Sequence, residues 1–135
     1  MTETQTLRGF ATLNFFADDL EAAKDWYAEF LGMDPYFARP GYYEFRVGDY
    51  QHEFGLIDGK YAPADRQTGG AIMHWHVDDL EGTFKRLLSL GATEYQPPTT
   101  RGEGFVTASV VDPFGNVLGI MYNAHYLEVL SWKKS

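Results

Sequence analysis

Apolar residues along this chain recur at two spacings, and the switch from one to the other happens twice in the same order. Residues 9–16 are rich in β-branched and aromatic types and predict a strand. Leu20, Ala23, Tyr27, Phe30 and Leu31 then follow at helical intervals and give one apolar stripe. Asp18 stands where a helix cap belongs, with Glu21 in capping-box spacing, and Gly32 supplies the stop. Three short strands are predicted next, over 36–39, 42–47 and 50–57, with Gly48-Asp49 as a tight turn between the last two. The first half therefore reads β-α-β-β-β.

Residues 58–70 carry Gly, Pro, Asp and Thr without periodicity and predict a linker. Beyond it the order repeats. A strand over 71–77 leads to a cap at Asp78 with Glu81, and Leu80, Phe84, Leu87 and Leu88 form a stripe that ends at Gly91. A strand at 93–96, a loop at 97–104 with paired prolines, and strands at 105–111 and 116–122 complete the second half. The duplication is visible in the letters as well as the pattern. Asn14-Phe15-Phe16-Ala17-Asp18-Asp19-Leu20-Glu21 is answered by His74-Trp75-His76-Val77-Asp78-Asp79-Leu80-Glu81. A repeat of this length marks a duplicated supersecondary unit. The tail, 124–135, has no counterpart in the first half. His125, Tyr126, Leu127, Val129, Leu130 and Trp132 make it too apolar for a free end, so it is expected to dock on its own chain or on a partner.

Composition narrows the class. A chain of 135 residues with 44% hydrophobic and 16% aromatic content is long and apolar enough to fold as a stable globule. No apolar run approaches the ~18 residues of a membrane span, and no secretion signal is recognisable, so no membrane partner is expected. The absence of cysteine removes disulfides, thiolate metal sites and cysteine nucleophiles, and fits a cytoplasmic location. A net charge of −8 without a Lys/Arg cluster argues against nucleic acid as a partner.

Period-two alternation sorts the strand residues into two faces. Ala71, Met73, Trp75 and Val77 belong with the helices, which sends Ile72, His74 and His76 to the other face. The repeat sends Thr12, Asn14 and Phe16 there too. Glu44, Arg46, Glu53, Gly55, Thr107, Ser109, Val117, Gly119 and Met121 follow by the same parity. A sheet face this polar is either simply wet or lines a pocket. Asn14, Glu44, Arg46, Thr107, Ser109 and Met121 are the candidate ligand contacts, and His74, His76 and Glu53 the candidate catalytic groups. Imidazole transfers protons near neutral pH without help from a metal. Arg46 either clamps an anion or pairs with Glu44 or Glu53. The aspartates before the helices are assigned to capping rather than chelation.

Two β-α-β-β-β modules with Asp-Leu helix caps, Phe30-Leu31-Gly32 and Asp112-Pro113-Phe114-Gly115-Asn116 resemble the vicinal oxygen chelate superfamily. That superfamily includes glyoxalase I, extradiol dioxygenases and the bleomycin- and fosfomycin-resistance proteins. The resemblance implies an α+β fold of two βαβββ modules forming a cup-shaped curved sheet. It implies one glyoxalase-like domain over 1–135: module 1 at about 7–58, a linker at 59–70, module 2 at about 71–123 and a tail at 124–135. It also implies a small organic ligand in the cup and a homodimer.

Metal-dependent members of the superfamily hold a divalent ion in the cup. The corresponding positions here fall on Thr12, Ile72 and Gly119, with the fourth on Gly55 or, after a two-residue slip, on Glu53. Three of the four lack the usual His, Glu or Gln side chain, so no cofactor is expected at the usual place. A divalent metal remains conceivable at His74, His76 and Glu53, because a His-x-His pair sets two imidazoles roughly 6.5–7 Å apart on one strand face. Two functions stay open: a glyoxalase-like lyase or isomerase using those three residues, or a metal-free binding and sequestration protein of the bleomycin-resistance type.

Overall fold

The computed structural model describes residues 7–134. The chain forms two compact units, divided between Tyr61 and Ala62. Each carries a four-stranded sheet, and the two orders match.

The first unit runs β1 (Thr12–Ala17), α1 (Leu20–Leu31), β2 (Phe37–Arg39), β3 (Tyr42–Val47) and β4 (His52–Asp58), followed by a single 3-10 turn at Gly59–Tyr61. Its strands lie in the order β1-β4-β3-β2, with β1 parallel to β4 and the other pairs antiparallel. The predicted stripe explains how α1 covers the sheet. Ala23 and Tyr27 are buried, and the Tyr27 ring lies 4.9 Å from that of Phe54, which meets Phe15 edge-on at 5.4 Å. Phe15, Ala17, Phe54, Leu56 and Phe45 thus mark the helix side, and alternation turns Asn14, Gly55 and Glu44 away from it.

The second unit runs β5 (Met73–His76), α2 (Leu80–Ser89), β6 (Thr93–Gly102), β7 (Phe105–Val111), β8 (Val117–Asn123) and α3 (Ala124–Lys134). Its order is β5-β8-β7-β6, again with one parallel pair, β5 and β8. Leu87, Leu118, Ile120, Ala108 and Val110 are fully buried and form its core. The β7–β8 turn is held by Asp112. Its Oδ1 accepts from the backbone N–H groups of Phe114 and Asn116, each at 2.9 Å.

Several local expectations are corrected. The helix caps are Asp19 and Asp79, one residue later than Asp18 and Asp78, because their carboxylates accept from the Ala22 and Gly82 N–H groups. Glu21 is not folded back in a capping box: it accepts a hydrogen bond from the Tyr43 hydroxyl. The turn between β3 and β4 spans 48–51 instead of two residues, closed by Gln51 N–H to Gly48 O at 3.1 Å. Residues 97–102, expected in a loop, continue β6. The strand is an edge, so the missing N–H groups of Pro97 and Pro98 are tolerated, and the pairing to β7 breaks register between Gln96 and Thr99. The tail is a helix, and Tyr126 on it stacks against His76 of its own unit.

Candidate functional site

In the first unit the pleat brings Asn14, Gly55, Glu44 and Phe37 into one cross-strand row, with Thr12, Glu53 and Arg46 in the next. Gly55 is the low point of the row. A Cβ built there would run into the Asn14 side-chain oxygen, and would lie 2.8 Å from the Tyr42 hydroxyl. Those two polar groups therefore occupy the space a side chain at 55 would need. Glu44, only 8% exposed, accepts the Tyr42 hydroxyl at 2.9 Å. Its other oxygen is 3.5 Å from Arg46 Nε, while the guanidinium sits 3.7 Å from the centre of the Tyr36 ring. The Arg46–Glu44 contact is an ion pair without good hydrogen-bond geometry, since Nε is buried and makes no hydrogen bond. Burial, the bond to Glu44 and the charges of Glu44 and Glu53 together push the Tyr42 phenol up to about 12. Tyr42 is thus a fixed neutral donor, and its partner is fixed as the acceptor.

In the second unit the corresponding row is His74, Gly119, Ser109 and Gln96, with His76, Met121, Thr107 and Thr99 beside it. The His74 ring lies over Gly119: a Cβ there would stand 2.6 Å from His74 Cδ2. Burial lowers the His74 imidazole from its ordinary value of 6.5, against the opposing effect of a hydrogen bond to the Ile72 backbone. Ser109 and Thr107 are buried hydroxyls at 2% and 7% exposure, and Thr107 Oγ1 accepts from Arg101 Nε at 3.2 Å.

His76 is used differently. Its side chain is 6% exposed, Nδ1 accepts from the Asn123 backbone N–H at 3.1 Å, and Nε2 stands 3.3 Å from Asp78 Oδ1. With Nδ1 accepting, the neutral ring carries its proton on Nε2 and donates it to Asp78. Tyr126 stacks on the ring at 4.7 Å and 6°, and Tyr122 lies 5.3 Å away. Both nitrogens and one face are committed to the junction of β8 and α3.

Of the residues singled out from sequence, Asn14, Glu44, Arg46 and Glu53 lie on one face of the first unit, and His74, Ser109, Thr107 and Met121 on one face of the second. Glu53 is in the first unit and both histidines are in the second. The residue missed was Tyr42. Its parity with Glu44 and Arg46 was visible, but its bond to Glu44 was not. Among the described residues no three His, Asp or Glu side chains gather as a metal site. At the two glycine positions the room for a donor is already filled, by Asn14 and Tyr42 over Gly55 and by His74 over Gly119. A separate open groove of about 350 Å³ lies between the start of α1 and the β2–β3 turn, lined by Leu20, Glu21, Arg39, Pro40 and Tyr43 among others.

Residues 9–120 match the family model described as the Glyoxalase/Bleomycin resistance protein/Dioxygenase superfamily. The chain belongs to that superfamily. Solved members share its fold at low identity. A glyoxalase-related enzyme from Fulvimarina pelagi is 20% identical with a TM-score of 0.71, the match covering 87% of this chain and 90% of that one. A lactoylglutathione lyase from Agrobacterium tumefaciens is 20% identical with a TM-score of 0.66, covering 86% and 94%. A bleomycin resistance determinant encoded on the transposon Tn5 is 22% identical with a TM-score of 0.62, covering 85% and 98%. No curated protein matches the sequence. Within the glyoxalase/bleomycin-resistance superfamily these likenesses establish the fold, which a lyase and a resistance determinant share.

Proposed function

We propose that the chain binds a small organic molecule on the polar faces of its sheets without a resident metal, in the manner of a bleomycin-resistance-type binding protein. The observation that carries this reading is the occupation of the space above Gly55 and Gly119 by Asn14, Tyr42 and His74. A metal-dependent site needs donor side chains at such places, whereas an organic ligand needs hydrogen-bonding groups and apolar walls. The first unit supplies acceptors. Glu44 Oε2, ion-paired with Arg46 but receiving no hydrogen bond from its Nε, Glu53 and the Asn14 amide oxygen share the face, and Phe37 at 46% exposure offers an apolar flank. This favours a ligand that donates hydrogen bonds, with a protonated amine as the charged form suited to a chain of net charge −8. A homodimer is part of the proposal, supported by the exposure of Leu7, Phe10 and Trp132 at 98%, 102% and 59%; light scattering gives the mass directly.

The test is a thermal-shift screen of organic amines and neutral controls, run with and without EDTA. Compounds that stabilise the chain should do so equally under both conditions, and replacing Glu44 with Gln should weaken them at least tenfold. Stabilisation that vanishes with EDTA and returns with one equivalent of a divalent ion would favour the lyase or isomerase reading instead.

A further inference from the structure

The groove beside the start of α1 lies on the opposite face of the first sheet from the row through Gly55. Ala38 and Tyr43, paired across β2 and β3, share the parity of buried Phe45 and turn to the side that carries α1. Its two walls are held separately. The Tyr43 hydroxyl donates to Glu21 and anchors the helix wall. In the other wall Gly41 takes a φ of 77°, and its carbonyl accepts from the Asp58 N–H at 2.9 Å. A Cβ on Gly41 would stand 2.8 Å from the Tyr61 ring, so that turn is packed from behind. A cleft of about 350 Å³ between two pinned walls has the size of a small-molecule site.

The groove carries charges of both signs that do not satisfy each other. Arg39 is exposed along it and, among the described residues, makes no hydrogen bond or ion pair. Glu21 Oε1 is taken by Tyr43, but Oε2 accepts no hydrogen bond from the described residues. Lys24 Nζ stands 3.9 Å from it and is closer to Asp25, at 2.7 Å. The guanidinium favours a carboxylate, which Glu21 would repel from the same groove. Glu21 favours an ammonium, which Arg39 would repel. A ligand bearing both charges satisfies both residues and escapes both penalties. Leu20, Ala38 and Pro40 add apolar surface for the rest of it.

We propose that this groove binds a free amino acid with an apolar body, its carboxylate on Arg39 and its ammonium on Glu21. The site is separate from the polar faces of the two sheets and does not depend on their binding anything.

The experiment is an amide NMR titration of the whole chain with leucine, whose charges share one carbon, and aminocaproate, whose charges sit at its two ends. Isocaproate and isoamylamine, which are leucine without its ammonium and without its carboxylate, serve as single-charge controls. The Ala38, Gly41 and Tyr43 amides should shift saturably with at least one zwitterion, bound at least tenfold tighter than either control. R39Q and E21Q should each weaken that zwitterion at least fivefold. Each should also lift one repulsion, so that isoamylamine gains affinity in R39Q and isocaproate gains it in E21Q. A merely structural role for either side chain would not produce that exchange. Both residues are exposed, and the remaining amides report that the fold is kept. The proposal is overturned if neither zwitterion shifts the groove amides at millimolar concentration, if a control binds as tightly as the zwitterion, or if both substitutions leave binding unchanged. Groove binding without any hit in the amine screen would support this site and count against the polar faces. Amine hits that shift the Asn14 and Gly55 amides, with no zwitterion in the groove, would overturn this site alone.

Discussion

At the residue scale the two faces are set by a few side chains whose protonation is fixed by their neighbours. Tyr42 is the clearest case. Its value is raised above the ordinary 10.0, so the folded chain favours the protonated phenol. The associated stability is complete below pH 10.0 and is lost as pH rises through about 12. Tyr43 is raised as well, chiefly by its bond to Glu21, so following phenolate absorbance against pH should show more than one late-titrating tyrosine, and Y42F should remove the component near 12. E44Q should lower that midpoint without bringing it to the ordinary value, because burial is the largest cause and the bond to Glu44 the second. His74 moves the other way: its value is depressed, so its contribution is present above 6.5 and is lost as pH falls through the folded-state value. Proton NMR of the ring should place its midpoint below the ordinary 6.5. A midpoint at or above 6.5 would contradict the burial argument.

At the element scale the sequence was legible where local chemistry decides and opaque where distant partners do. The strand-helix switch could be read from spacing alone, because Tyr27 and Leu87 must lie on the buried stripe of their helices. The cap was read one residue early because two aspartates stand in series, and only the chain's exit angle selects the second. The extension of β6 through Pro97-Pro98 was hidden because prolines argue against a strand unless it lies at an edge, which is a property of the sheet. The division of labour between the histidines was equally hidden, since the Asn123 N–H that occupies His76 lies 47 residues along the chain. Urea denaturation should rank the local devices by the charge and number of their bonds. D19A or D79A, each losing one cap, should cost about 1 kcal/mol. D112A should cost roughly 3 kcal/mol, because a carboxylate 3% exposed serves two backbone N–H groups at the β7–β8 turn. Equal losses would mean that the Asp112 turn is held by something other than its side chain.

At the scale of the whole molecule, duplication has repeated an arrangement as well as a topology. In each unit the first strand runs parallel to the last, and a polar residue of the first lies over a glycine of the last: Asn14 on Gly55, and His74 on Gly119. The repeat in the letters foretold that Asn14 and His74 correspond, but the glycines opposite them come from strands whose sequences look unrelated. If each pair is one packing unit, adding a methyl group to the glycine should destabilise by roughly 1–3 kcal/mol through overpacking. Shortening the polar partner should then recover part of that loss, which a double-mutant cycle measures as a coupling energy. The two units should differ in how much is recovered. At Gly119 a new Cβ meets the Met73 carbonyl at 2.6 Å as well as the His74 ring, and backbone does not yield. At Gly55 the three nearest atoms all belong to the side chains of Asn14 and Tyr42. Recovery in N14A/G55A should therefore be limited by Tyr42 and should rise when Tyr42 is shortened as well, whereas recovery in H74A/G119A should stop at the backbone. Additive losses in both units would show that the side chains only pass near the glycines. The shared arrangement would then be a consequence of parallel pairing, with no bearing on the site.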